Sequence, residues 1–207
     1  MDDFSSCVTG LIVALIIPAT YHLYIPALAS IFAIVVVKML FGGTGKNVVN
    51  PAITGRIFIF MSFQAVVTPW VAPFIGAIGA STPATGATVL ESLISSNTAN
   101  LSNLDLLLGT GLGGCIGETC KVALLIGGVY LLVRRVITWH IPVAFIGTAF
   151  IFTLAVHEFD FMLALSLVLS GGLLLGAIFM ATDYVTSPTT PLGKIIFGIG
   201  AGLITVL

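Results

Sequence analysis

Seven apolar runs, divided by short polar or glycine-rich breaks, fill almost all of this chain. They cover about residues 7–19, 24–41, 52–78, 104–133, 141–156 and 161–181, and a last run begins near Gly193 and is still apolar at Leu207. A helix that crosses a bilayer takes roughly 20 apolar residues. In lipid every backbone polar group must find its partner inside the protein, so such runs predict helices rather than an open sheet. Charged residues make up 7% of the chain, against about 25% in a soluble domain. The expected fold is an all-α polytopic membrane protein of about seven membrane helices, forming one transmembrane domain over residues 1–207.

The same sequence excludes several classes of function. A formal net charge of -1 leaves no basic footprint for nucleic acid. Cys7, Cys115 and Cys120 form no CxxC pair, and an odd count argues against a disulfide framework. Small apolar residues in a helix interface are the simpler reading of Cys115 and Cys120. His22, His140 and His157 are scattered, so no metal site is expected. There is no Rossmann fingerprint, no P-loop and no nucleophile–base spacing, so no catalytic residue is assigned. Met1-Asp2-Asp3 is acidic where a signal peptide would be basic. Both ends run abruptly into apolar sequence, which reads as a piece of a longer membrane protein.

Charge placement predicts an orientation. With one crossing per run, Lys38, Lys46, Arg56, Arg134, Arg135 and Lys194 fall on one face, and Glu91, Asp105, Glu158 and Asp160 on the other. The positive-inside rule makes the basic face cytoplasmic. The loop at Asn47 and Asn50 and the loop at Asp183 then share the inner face, and the polar island 81–90 lies outside. The two inner loops look alike. Asn50-Pro51 precedes Gly55-Arg56, and Ser187-Pro188 precedes Gly193-Lys194. Two ordinary loop-to-helix starts and an internally repeated architecture both fit this likeness. The glycines of 109–117 and Gly171-Gly172 break two of the runs, for close helix packing or for a flat ligand.

Three sets of residues are candidates for chemistry. Glu118 and Lys121, three apart, share a helix face and can pair, as a structural ion pair or on a cation pathway. Asp183 closes the sixth run, as an ion or ligand contact or as a solvated helix end. Asn47 and Asn50, beside Gly42, Gly43 and Gly45, offer amide groups suited to the edge of a flat heterocycle and equally to loop structure. The island itself carries Thr85-Gly86-Ala87-Thr88, a small polar stretch with accessible hydroxyls.

Several runs resemble a known family. Lys38-Met39-Leu40-Phe41-Gly42-Gly43, Asn47-Val48-Val49-Asn50-Pro51-Ala52, Gly55-Arg56, Thr85-Gly86-Ala87-Thr88, Ile116-Gly117-Glu118-Thr119, Ser170-Gly171-Gly172 and Phe179-Met180-Ala181-Thr182-Asp183 are similar to the RnfD-type subunits of Rnf electron-transport complexes. They also resemble the homologous NqrB-type subunits of the sodium-translocating NADH:quinone reductase. The resemblance implies a bacterial inner-membrane redox protein within a longer, ten-helix fold. It implies electron transfer between ferredoxin and NAD, coupled to export of Na+ or H+. It further implies FMN esterified through its phosphate to Thr88, flanked by Thr85, Gly86 and Ala87, and attached by a flavin transferase. Non-covalent riboflavin near Asn47 and Asn50 is implied as well. Implied partners are an extracytoplasmic FMN subunit, membrane iron–sulfur subunits and a cytoplasmic NADH-side subunit. Thr82 stands where the family motif has Asp, and Val89 where it has Pro. A non-redox transporter resembling the urea channels is the alternative of another class, because fold does not fix function.

Overall fold

The computed structural model describes residues 4–18, 21–43, 45–63, 70–71, 85–86, 103–109, 114–157 and 159–207. Their regular elements are helices, apart from one minimal ladder and an isolated bridge. α1 is Ser5–Leu15, and α2, Tyr24–Ile31, runs on without interruption as a π-helix over Phe32–Met39. α3 is Pro51–Ser62. β1, Trp70–Val71, pairs antiparallel with β2, Thr85–Gly86, with Trp70 opposite Gly86 and Val71 opposite Thr85. α4 is Asn103–Leu108, and a 3₁₀ turn at Ile116–Glu118 leads into α5, Lys121–Val133. α6 is His140–Val156 and α7 is Phe161–Leu169. α8, Leu173–Leu175, continues as a second π-helix over Gly176–Met180, and α9 is Pro191–Val206.

Local chemistry sets the helix starts. Asn50 caps α3, its Oδ1 accepting from the backbone N–H groups of Ala52 at 3.0 Å and Ile53 at 3.3 Å. Pro51 follows at the first helical position, where its missing N–H costs nothing. α9 opens the same way, with Thr190 accepting from the Gly193 N–H at 3.2 Å and Pro191 next. The sequence likeness between the two loops therefore falls on Thr190-Pro191, three residues beyond the expected Ser187-Pro188. Asp160 caps α7 through the N–H groups of Met162 and Leu163. Replacing a cap of this kind by Ala costs about 1 kcal/mol. Asn50→Ala is expected to lose that and the bond from its Nδ2 to the Met180 carbonyl at 3.1 Å. Thermal unfolding of the detergent-solubilised protein measures the loss.

The bounds predicted for the second, fifth and last runs agree with the helices to within two residues. The run predicted as one helix over 52–78 is helical as far as Ser62, and Trp70–Val71 within it is a strand. Two further runs are broken. The run predicted over 104–133 is α4, a turn at Gly109, the 3₁₀ turn and α5. The run predicted over 161–181 bends by 65° between Phe161–Leu169 and Leu173–Met180. Gly171, at φ +59, makes that corner, a conformation most side chains avoid. Among the described residues no single helix is long and apolar enough to cross a membrane, and this bent pair is long and apolar enough when taken together.

Packing holds two groups of helices. Val13, Ile16, Ile25, Ala29, Ala52, Ile59 and Leu175 bury a shared core between α1, α2, α3 and α8. Gly55 lets α3 close on α2, since a Cβ there would lie 2.9 Å from the Ala29 carbonyl oxygen. α9 lies along α6 on Gly198 and Gly202, whose Cβ positions would meet Ala144 Cβ at 2.8 Å and the Phe145 carbonyl oxygen at 2.7 Å. Small residues four apart are the usual device for bringing two helix backbones together in lipid. The outer surface is apolar too: Met61, Ile126, Ile151 and Ile204 are exposed.

Candidate functional site

The two broken helices meet, and the meeting point is charged. Glu118 ends the 3₁₀ turn and is 8% exposed, and Lys121, in the first turn of α5, is 4% exposed. The continuous helix expected around them would have paired the two side chains. Instead the Glu118 carboxylate faces Arg56 of α3, with Nη1 3.6 Å from Oε1. The Lys121 ammonium donates to two backbone carbonyls, that of Glu118 and that of Gly171 at 2.8 Å. Residue 171 lies in the break between α7 and α8. Lys121 therefore ties one interrupted helix to the other.

The backbone around the carboxylate is shaped to admit it. A Cβ on Gly172 would come within 2.5 Å of Glu118 Oε1, so a side chain there would displace the carboxylate from this position. Gly117 presses on Leu15, with a Cβ there 2.8 Å from Leu15 Cβ. An isolated antiparallel bridge joins Pro18 to Cys115 and fixes the segment before the 3₁₀ turn against the end of α1. Cys115 is fully buried, and Arg56 Nη2 lies 3.7 Å from its sulfur. Arg56 also lines a cavity of about 50 Å3, walled by Ile16, Ile17, Tyr21, Ile59 and Phe60. That volume suits a water or two and is too small for a flavin ring.

Charge balance gives the crossing its character. The cluster holds one carboxylate and two cations, so it is positive while all three groups are ionised. Burying a charge is costly without a partner: Glu118 has Arg56 at 3.6 Å, and Lys121 has its two carbonyls. Arg56 and Lys38 are expected from sequence among the basic residues of the inner face. In the fold Arg56 belongs to this cluster, and Lys38 is buried and donates to the Ser5 hydroxyl. Lys46, Arg134 and Arg135 are exposed, and Lys194 donates to Thr138 at 3.1 Å, which brings the start of α9 beside the α5–α6 connection.

The second set of candidates forms its own group. The Met180 carbonyl accepts from Asn50 Nδ2 at 3.1 Å and from the Asp183 N–H at 3.4 Å, so the two polar loops touch. Asp183 is half-buried, and Thr186 donates to its Oδ2 at 3.1 Å. Three hydrogen bonds occupy the Asn50 amide. Asn47 is buried, and its Nδ2 donates to the Val49 carbonyl at 3.1 Å. No hydrogen bond or ion pair joins this group to the Glu118 cluster among the described residues. No cluster of three metal-ligating side chains occurs among the described residues either. Thr85 and Gly86 are placed by the ladder, whereas Ala87 and Thr88 lie outside the described residues. Sequence reasoning misses Arg56 as the partner of Glu118. Its signal, a base beside an apolar run, reads as a loop flank.

Comparison with known proteins gives the lineage. The model of the NQR2, RnfD, RnfE family matches residues 1–207. The D-type subunit of the Na(+)-translocating ferredoxin:NAD(+) oxidoreductase complex of Acetobacterium woodii is 41% identical over 209 residues, covering 100% of this chain and 63% of that protein. The D-type subunit of the proton-translocating ferredoxin:NAD(+) oxidoreductase complex of Clostridium ljungdahlii is 37% identical over 216 residues, covering 100% of this chain and 65% of the relative. The B-type subunit of the Na(+)-translocating NADH-quinone reductase of Chromohalobacter salexigens is 39% identical over 213 residues, covering 97% of this chain and 50% of the relative. The chain thus spans between half and two thirds of the length of these relatives. With the family model matching from end to end and relatives this similar, the chain belongs to the NQR2, RnfD, RnfE family.

Proposed function

We propose that this chain is part of a membrane subunit of an ion-translocating ferredoxin:NAD oxidoreductase complex of the Rnf kind. In this reading it sits in the bacterial inner membrane beside the other subunits of that complex. It carries electrons by way of flavin, with FMN esterified to Thr88 on the outer face, and takes part in export of Na+ or H+. The family and the names of its relatives support the complex. The observation that carries the coupling role is the buried Glu118, facing Arg56 where two interrupted helices cross. Ionisable groups at membrane depth are expensive and mark ion pathways. Broken helices whose freed carbonyls meet a cation are the usual architecture of such pathways. Membership of a sodium-translocating NADH:quinone reductase is the second reading, favoured by 39% identity to the B-type subunit of one such enzyme.

The residues bear differently on the two flavins. For FMN the described part of the motif is Thr85–Gly86, held as an extended strand against Trp70–Val71. This fits a motif displayed on a fixed edge, with Thr88 supplying the hydroxyl of the phosphoester. When bound, FMN supplies one- and two-electron chemistry, and the protein supplies position and surroundings. For riboflavin the Asn50 amide is already held by the fold, so the contact proposed on the inner face falls chiefly to Asn47. Lys121 keeps the crossing closed, Gly172 gives the carboxylate its room, and Asp183 with Thr186 orders the inner loop.

The test is coupled ion export by the assembled complex in vesicles. Glu118→Gln keeps the shape and removes the charge, and is expected to lower export at least about tenfold per electron pair, one barrier step of 1.4 kcal/mol. Asp183→Asn is expected to lower it less, because Asp183 is half-buried and stands apart from the crossing. Normal export by both variants, with electron transfer intact, would remove these residues from the pathway.

A further inference from the structure

Arg56 is shared by two environments. One face of its guanidinium meets the buried Glu118 carboxylate at 3.6 Å and Cys115 Sγ at 3.7 Å. The same side chain lines the cavity of about 50 Å3 with Tyr21, Ile59 and Phe60. The arginine side chain is 41% exposed where the carboxyl side chain is 10% exposed. Described residues pack close to the carboxylate and its turn. Gly172 lies against Oε1, a Cβ on Gly114 would lie 3.8 Å from Oε2, and Leu15 packs on Gly117. Lys121 is held by its two carbonyls. Arg56 both lines the cavity and faces Glu118, so an approach to the carboxylate from the cavity meets the guanidinium.

We propose that Arg56 is the gate of this site: its guanidinium keeps a monovalent cation from Glu118, and its swing away from the carboxylate admits one. The proposal rests on the reading of Glu118 as a pathway residue, and goes beyond it by naming the positioning residue and the route. The electrostatics agree with it. With Arg56 in place the cluster has one negative and two positive side chains, and an arriving cation is repelled. With Arg56 withdrawn one positive charge leaves and the carboxylate loses its partner. Lys121 is no substitute, because its ammonium is bonded to the Glu118 and Gly171 carbonyls. The guanidinium has a flexible stem and keeps its charge throughout, so the gate moves without changing its protonation.

The test reads access directly, apart from redox activity. A hydrophobic carbodiimide is applied to the assembled complex in detergent, and the Glu118 peptide is followed by mass spectrometry, with Glu118→Gln as the unlabelled control. Arg56→Gln is expected to speed labelling of Glu118 about tenfold, because the neighbouring charge and the obstruction both go. Arg56→Lys, which keeps a cation at the position, is expected to stay near the wild-type rate. Equal rates in wild type and Arg56→Gln would overturn the gate. Should Arg56→Gln fail to fold, Phe60→Trp narrows the cavity without touching the pair. It is expected to slow labelling several-fold, and an unchanged rate would overturn the route. In Arg56→Gln, slowing by sodium against choline at constant ionic strength identifies Na+ as the cation admitted. Indifference to sodium with a response to pH identifies H+. Normal export by Glu118→Gln beside Arg56-dependent labelling would reject the pathway reading and leave the gate standing.

Discussion

Thr88→Val is expected to leave the polypeptide without covalent flavin. Produced together with its flavin transferase and denatured in SDS, the wild-type protein should run as a fluorescent band and the variant as a dark one. The effect is all-or-none because the bond is covalent: valine matches threonine in shape and has no oxygen to carry a phosphoester. Thr85, three residues earlier, offers the other nearby hydroxyl of the motif. The ladder holds it opposite Val71. Fluorescence that survives Thr88→Val and vanishes in Thr85→Val would move the attachment to Thr85. A dark wild-type band would remove covalent flavin from the proposed function. Thr82 and Val89, where the family motif has Asp and Pro, make this measurement the most informative one for the chain. They flank the hydroxyl that the transferase must recognise.

A large structural effect is expected at Gly202. Its missing Cβ would stand 2.7 Å from the Phe145 carbonyl oxygen and 3.1 Å from Thr148 Cβ. The obstruction is mostly backbone, so no rotamer change relieves it. Gly202→Val adds a branched side chain at that point and forces α9 away from α6, undoing the contact along Gly198 as well. Overpacking of a tight interface costs roughly 1–3 kcal/mol. Two helices pressed backbone to backbone belong at the upper end. Gly200, two residues away with nothing within 4 Å of its Cβ position, is the control. Gly200→Ala should unfold near the wild-type temperature in the same detergent, while Gly202→Val should lose much of its folded population. Equal melting of the two variants would show that the glycine seam does not hold α6 to α9.

The contrast between those two glycines shows what the sequence can reveal. Apolar run length locates most helices, because it reads burial and lipid contact directly. Asn50-Pro51 and Thr190-Pro191 mark helix starts through local chemistry, with a cap oxygen and a proline that needs no N–H partner. Glu118 is visible as a charge in apolar sequence. Its partner is not, because an ion pair between α3 and the 3₁₀ turn depends on how distant segments cross. The i,i+3 rule places Lys121 beside the carboxylate on a helix that is not continuous there, and the glycines of 109–117 carry the warning. Gly171-Gly172 reads from sequence as close packing or space for a flat ligand. In the fold Gly171 makes the corner, and Gly172 clears the space that the Glu118 carboxylate fills. Of the flavin motif, Thr85 and Gly86 are placed, and Thr88 lies outside the described residues.

The π-helical stretches Phe32–Met39 and Gly176–Met180 carry one more consequence. A π turn closes its hydrogen bonds over five residues instead of four. Each widened stretch therefore contains more residues than an α-helix of the same height. One residue amounts to roughly 100° around a helix axis. A wheel drawn at the α period through residues 24–39 assigns its far end to the wrong azimuth. Lys38 stands at that far end, buried and turned toward Ser5. Azimuth here follows from the length of chain wound into the helix, not from the polarity of the residues, so one residue removed from either stretch would rotate everything beyond it.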